Sequence, residues 1–272
     1  MSDVIWNIVH SSLEMLVWMA GFFVVFAVLE RITPCNPGQP LFKKHLLTDT
    51  AYFLILPILT RFVRAGYMTL GIIVLFYGQS PQDITHYIVH GFGPLSHLPV
   101  WLQAAIVFIA SDFILYWTHR WFHKREMWRF HAIHHSPTMV DWHSTYRFHP
   151  VNVWLTFTMV DTLMLFIGFS PEAVSLMGMF NLIYSAMVHA NLNWTFGPFR
   201  YLFSSPVFHR WHHTSQEAGM DKNFAPTFPL LDIMFGTFYM PDGELPHSYG
   251  IPGSTIPESF LGQMLWPFRK NH

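Results

Sequence analysis

The chain has 272 residues, of which 51% are apolar, 18% aromatic and only 11% charged, against roughly a quarter charged in ordinary globular chains. That balance excludes a typical soluble domain and predicts a protein built into a bilayer. A net charge of -1 with no basic run or aromatic-basic interleaving argues against nucleic acid, and the single Cys35 excludes an intrachain disulfide framework and any cysteine-ligated metal cluster.

In chain order, the first apolar run covers about 15–29 and reads as a membrane helix, because no Lys or Arg precedes it as in a secretory signal. A polar loop with Arg31, Lys43 and Lys44 follows. The second run, about 49–77, is long enough to cross but contains Pro57, Arg61 and Arg64, which predicts a broken, tilted or protein-shielded segment. A third crossing over 99–118 runs into His119. The fourth, 151–169, and the fifth, 173–190, are joined by a short turn at Gly168, Ser170 and Pro171, as in a helical hairpin. Ser205 followed by Pro206 predicts the N-cap and first position of a short helix. Pro and Gly become frequent after Asp221, and the tail from Met240 has no period.

Histidines dominate the polar residues. His119 and His123 form H-x-x-x-H, and His131, His134 and His135 form H-x-x-H-H; His209, His212 and His213 repeat the latter spacing, with His189 between. A shuffled chain with 18 His would hold about 0.08 copies of H-x-x-H-H, so two copies are a strong signal. Residues at i, i+3 and i+4 share a helix face, which predicts imidazoles aimed at a common point. Nine histidines exceed the needs of one ion and predict two metals close together. All-nitrogen donors suit iron, zinc, copper or nickel. No H-e-x-x-H arrangement or carboxylate within a cluster favours a zinc hydrolase.

Loops 78–98 and 168–172 hold no Lys or Arg. The segments 31–48, 119–149 and 191–272 carry Arg31, Lys43, Lys44, Arg120, Lys124, Arg125, Arg129, Arg147, Arg200, Arg210, Lys222, Arg269 and Lys270. This asymmetry predicts that the basic segments, and every histidine cluster, are cytoplasmic. The fold expected is therefore an all-α integral membrane protein with four to five transmembrane or re-entrant helices and a cytoplasmic histidine-rich di-metal cap. It forms one domain over 1–272, with N-terminal membrane helices (1–98), a histidine-cluster core (99–240) and an irregular cytoplasmic tail (241–272). Trp117, Trp121, Trp128, Trp142, Trp194 and Trp211 read as an interfacial belt. Asp112 falls on one stripe with Tyr116, His119 and His123 and is expected to accept the free N–H of a ligating histidine. Asn181, Ser185 and His189 form a second polar stripe. His143 is balanced between hydrogen bonding and ligation. His10, His45, His86, His90, His97, His247 and His272 read as interfacial or loop residues.

The run from Asp112 through Tyr116, Trp117, His119 and Arg120 to His123 resembles the first histidine box of the sterol desaturase/fatty acid hydroxylase superfamily. His131, His134, His135, Ser136, Pro137, Asp141, Trp142, Arg147, His149 and Pro150 resemble the second. His189 with Asn191, then Pro206, His209, Arg210, Trp211, His212, His213, Asp221, Asn223 and Phe224, complete the match over about 105–240. Within the superfamily the chain looks most like bacterial sterol-desaturase-type members. The resemblance implies a membrane di-iron enzyme that uses O2 and electrons from a reductase, ferredoxin or cytochrome-type carrier to hydroxylate or desaturate a lipid. It implies the nine histidines as ligands, with His149 and Asn193 competing for a tenth or water-mediated position. Some family members carry His where this chain has Asn193. The rival readings are a redox-inactive di-zinc membrane enzyme and a metal-transport protein.

Overall fold

A computed structural model describes residues 2–40 and 42–269, so Lys270 and His272 lie outside the described residues. The described residues are helical, with two isolated β-bridges, Pro34 to Leu192 and Thr214 to Tyr249, and no strand among them. The long elements are α1 (Ser2–Ile32), α2 (Leu46–Leu75), α3 (Pro81–His90), α4 (Val100–Phe122), α5 (Arg125–His135), α6 (Pro150–Ile167), α7 (Pro171–His189) and α8 (Pro206–His212).

Three of these, α2, α4 and α6, are long and apolar enough to cross a membrane. The runs expected at 15–29 and 173–190 lie in α1 and α7, whose described residues do not join that set. The outward faces of α2 and α4 are apolar: Phe62, Leu70, Ile73, Trp101, Ile109 and Phe113 are all exposed, as helices facing lipid require. The inward faces of α4, α6 and α7 meet in a core of Val107, Leu115, Val160, Met164, Val174 and Met177.

Local sequence explains the joints. Gly168 ends α6 at a φ of 112°, and a Cβ there would sit 2.3 Å from the Phe92 carbonyl oxygen, so only glycine fits. Ser170 then caps α7 by accepting the Ala173 N–H, with Pro171 at the first position. Ser205 caps α8 in the same way, accepting the Phe208 N–H at 3.1 Å. Within α6, residues Trp154–Thr158 form a π segment, a widened turn of the kind that recurs at functional sites.

The α2 segment is not broken. It continues through Pro57, and Arg64 forms an ion pair with Asp161 on α6. Several basic residues counted as loop charges point inward instead. Lys43 lies 2.7 Å from an Asp49 carboxylate oxygen and 2.5 Å from Asp141, while Arg147 lies 2.5 Å from the other Asp49 oxygen; all four side chains are buried. Two cations and two carboxylates thus neutralise each other and tie the loop before α2 to the 3-10 turn Trp142–Tyr146, which Asp141 caps. Arg210 is fully buried, donating to the Val140 and His189 carbonyls and the Asn36 side chain and stacking on Tyr249. The tryptophans divide likewise: Trp117 and Trp121 are exposed, but Trp142 and Trp211 are buried core residues and leave the expected belt.

The tail is less irregular than its sequence. A short helix, Phe260–Leu265, and Trp266 pack on Tyr52 and Leu56 of α2 and Ile133 of α5.

Candidate metal centre

Nine imidazoles from four helices meet in two groups. The ligand atoms of His119, His123, His131, His135 and His212 lie within 4.8 Å of one another, and those of His134, His189, His209 and His213 form a second such set. The expectation that each H-x-x-H-H aims at one point is corrected in an instructive way. On a helix, i and i+4 diverge by about 40° while i+3 and i+4 diverge by about 100°. Each triple therefore splits two to one. His131 and His135 serve the first group and His134 the second, whereas His209 and His213 serve the second and His212 the first.

Six of the nine rings are oriented by a bond on the far nitrogen. His119 Nδ1 donates to the Phe224 carbonyl at 2.8 Å, His134 Nδ1 to the Arg147 carbonyl at 3.2 Å, His212 Nδ1 to the Lys222 carbonyl at 2.8 Å, and His189 Nδ1 to the Ser185 carbonyl at 2.7 Å. His131 Nδ1 donates to Asn152 Oδ1 at 2.6 Å and His123 Nδ1 to Asp221 Oδ1 at 2.9 Å. Because these oxygens only accept, Nδ1 carries the proton and Nε2 presents a lone pair. Yet Nε2 atoms face each other at 3.1 Å for His119 and His131, and at 3.2 Å for His134 and His189. Two lone pairs cannot hydrogen-bond. Nor is protonation a way out: burial, then the neighbouring imidazoles, hold His131, His134, His135, His209, His212 and His213 well below the usual imidazole range. Converging neutral nitrogens of this kind fit cations, and the donor chemistry fits a borderline transition metal.

An apolar cavity of about 340 Å³ opens from the imidazoles into the helix bundle. His119, His131, His134, His189 and His209 form its head, and Leu56, Leu115, Phe157 and Leu182 are among its apolar walls. The polar stripe Asn181, Ser185 and His189 lines it too. Phe148 stacks on His134 with ring centroids 3.9 Å apart, one more wall fixed against an imidazole.

Three residues expected at the metals lie elsewhere. Asp112 is buried, but its carboxylate accepts the Phe228 N–H at 3.1 Å, and the His119 N–H it was expected to receive goes to Phe224 O. The stripe brings Asp112 against the 224–237 loop rather than against an imidazole. His149 uses both ring nitrogens as a helix cap, accepting from Val151 N–H and donating to the Met264 carbonyl, each at 3.2 Å. Asn193 is exposed. His143 is buried on Trp142 and joins neither group. Other residues carry orientation without having been singled out. Asn152 holds His131, and Thr145 lies 2.7 Å from His189 Nδ1. Asp232 accepts from Phe224 N–H, Ala225 N–H and the Thr237 hydroxyl, fixing the loop whose carbonyl holds His119. No spacing rule marks Asn152 or Thr145, since each meets its histidine through the tertiary fold.

Comparison with known proteins places this geometry. Residues 104–237 match the fatty acid hydroxylase family. An ornithine lipid hydroxylase from Rhizobium tropici is 28% identical over 173 residues, 63% of this chain and 52% of that protein. Human alkylglycerol monooxygenase is 33% identical over 132 residues, 48% of this chain and 29% of that protein. A delta(7)-sterol 5(6)-desaturase from Gibberella zeae is 26% identical over 146 residues, 52% of this chain and 38% of that protein. The chain thus spans about half the length of the first of these relatives and less of the others. No solved structure gives a significant match. The matched segment begins in α4 and extends past α8, so it contains all nine converging histidines, and over it the chain belongs to the sterol desaturase/fatty acid hydroxylase superfamily.

Proposed function

We propose that this protein is a membrane di-iron enzyme that uses O2 and electrons to hydroxylate or desaturate a lipid. The observation that carries the reading is the pair of imidazole groups whose bare Nε2 atoms converge at the head of an apolar cavity. The first iron would be held by His119, His123, His131, His135 and His212, the second by His134, His189, His209 and His213. When bound, the metals supply the O2-activating redox chemistry that no side chain here provides.

The chain's own residues do the rest. The apolar walls hold an alkyl segment beside the metals and exclude water, which makes a strong oxidant selective. Asn152, Thr145, Asp221 and the carbonyls of Phe224, Arg147 and Lys222 fix ring orientation and tautomer. In hydroxylation one oxygen atom enters a C–H bond, and the other leaves as water with two protons and two electrons from a reductase, ferredoxin or cytochrome-type carrier. In desaturation both oxygen atoms leave as water. The relatives act, by their names, on an ornithine lipid, an alkylglycerol and a sterol, which supports a lipid substrate.

We place four to five helices in the membrane as one domain, since α7 also exposes Leu176, Met179, Phe180 and Ile183 along its outer side. The histidine cap belongs on the cytoplasmic side. With Lys43, Arg147 and Arg210 withdrawn, Lys44, Arg120, Lys124, Arg125, Arg129, Arg200, Lys222 and Arg269 still flank it, against none in loops 78–98 and 168–172. The test is metal analysis of protein purified without added metal, with lipid mass spectrometry of cells carrying the intact protein or its His212→Ala variant. Iron, and a lipid oxidation product lost in the variant, are expected. Zinc alone with unchanged lipids would establish the redox-inactive alternative.

A further inference from the structure

The cavity has a second end, away from the imidazoles, and its wall residues fall in layers along three helices. At the imidazole end lie Tyr52 of α2, Asn152 of α6 and His189 of α7; at the other lie Thr60, Asp161 and Gly178 of the same helices. At 1.5 Å of rise per residue these layers are about 12 Å apart along α2, about 14 Å along α6 and about 16 Å along α7. The Asp161 carboxylate pairs with Arg64, one turn beyond Thr60 on α2. Their side chains keep 27% and 47% of their exposure, so the pair stands open rather than sealed in a core.

Neither charge orients an imidazole. Opposite charges within two apolar helices are costly in lipid and call for a function. An alkyl chain reaching this depth meets the pair, and passing it would press methylenes against ionised groups or part the two charges, leaving each uncompensated. At the same depth Gly178 leaves open space, since a Cβ there would meet nothing within 4 Å. The apolar cavity therefore ends in charge at Asp161 and has room beside Gly178.

We propose that the Arg64–Asp161 pair is the floor of the cavity and sets how long an alkyl chain the protein accepts beyond the reacting carbon. This rests on reading the cavity as a lipid site. Removing both charges together avoids an orphaned ion and frees about one helical turn, roughly four carbons of chain. Filling Gly178 moves the floor the other way and replaces a poor helix former with a good one.

The test uses the full chain in nanodiscs, with cis-parinaric acid displaced by saturated 1-alkanols lengthened one carbon at a time. The expected result is a chain length beyond which affinity stops rising. That limit should move longer by roughly four carbons in Arg64→Met/Asp161→Leu and shorter in Gly178→Leu. A folded double variant with an unchanged limit overturns the proposal, as does a parent protein with no limit. Tighter binding of alkanediols than alkanols of the same length would also overturn it, because the pair would then be a polar-group receptor. If the double variant does not fold, Gly178→Leu decides alone: a shorter limit supports the floor and an unchanged one overturns it. Binding is read without turnover. A sharp limit in a protein that holds no iron would refute the oxygenase reading and leave the ruler standing, while an iron oxygenase with no limit would do the reverse.

Discussion

Replacing Asn152 by Leu removes one acceptor while keeping the side-chain volume similar. The Asn152 side chain is buried, and its oxygen receives the His131 Nδ1 proton at 2.6 Å. Losing an orienting bond of this kind lowers metal affinity by about 10- to 100-fold, which is roughly 1.4 to 2.8 kcal/mol. The orphaned N–H of His131 is free to move to the other nitrogen, and that tautomer presents a proton instead of a lone pair to His119 and His135, whose Nε2 atoms lie 3.1 and 3.2 Å away. The damage should therefore fall on the five-histidine group and spare His134, His189, His209 and His213. Chelator competition on the iron-loaded protein should resolve one weakened and one unchanged site. Asn152→Asp keeps the acceptor and should retain both. Equal weakening of the two sites, or none, would refute the tautomer argument.

Asp232→Asn turns one of the two carboxylate oxygens that accept from Phe224 and Ala225, at 2.7 and 2.8 Å, into an amide NH2 facing a backbone N–H, and should lower iron affinity through His119, measured by the same competition. Lys43→Met leaves Asp49 with Arg147 alone and removes the cation that Asp141 pairs with, in a buried site. It should cost about 3 to 5 kcal/mol, read as a lowered melting temperature in detergent, whereas Lys44→Met, on an exposed pair, should leave the melting temperature near the parent's. His149→Gln and Asn193→Ala should keep full iron content, while His212→Ala and His209→Ala should each lose metal from a different group. Metal content near the parent level in both of these last two variants would dissolve the assignment of ligands to groups.

Much of the site was legible in the order of residues because its rules are local. Imidazoles three and four residues apart on a helix must share a side, whatever the rest of the chain does. The hydrophobic runs that became α2, α4 and α6 followed from length and composition, and the caps at Ser170 and Ser205 from their own few residues. What the tertiary structure alone decided concerns partners far apart in the chain. Helix geometry splits each H-x-x-H-H two to one, but which group each part joins depends on how α5 and α8 are placed against the other histidines. Lys43, Arg147 and Arg210 read as solvated loop charges until Asp49, Asp141 and Asn36 are brought beside them from elsewhere in the chain. Asp112 lies on the histidine stripe, yet a helix face some 100° wide touches more than one neighbour, and packing sent its carboxylate to the loop at Phe228. Periodicity determines which way a side chain leaves its own helix; only the packing of helices determines what it meets there.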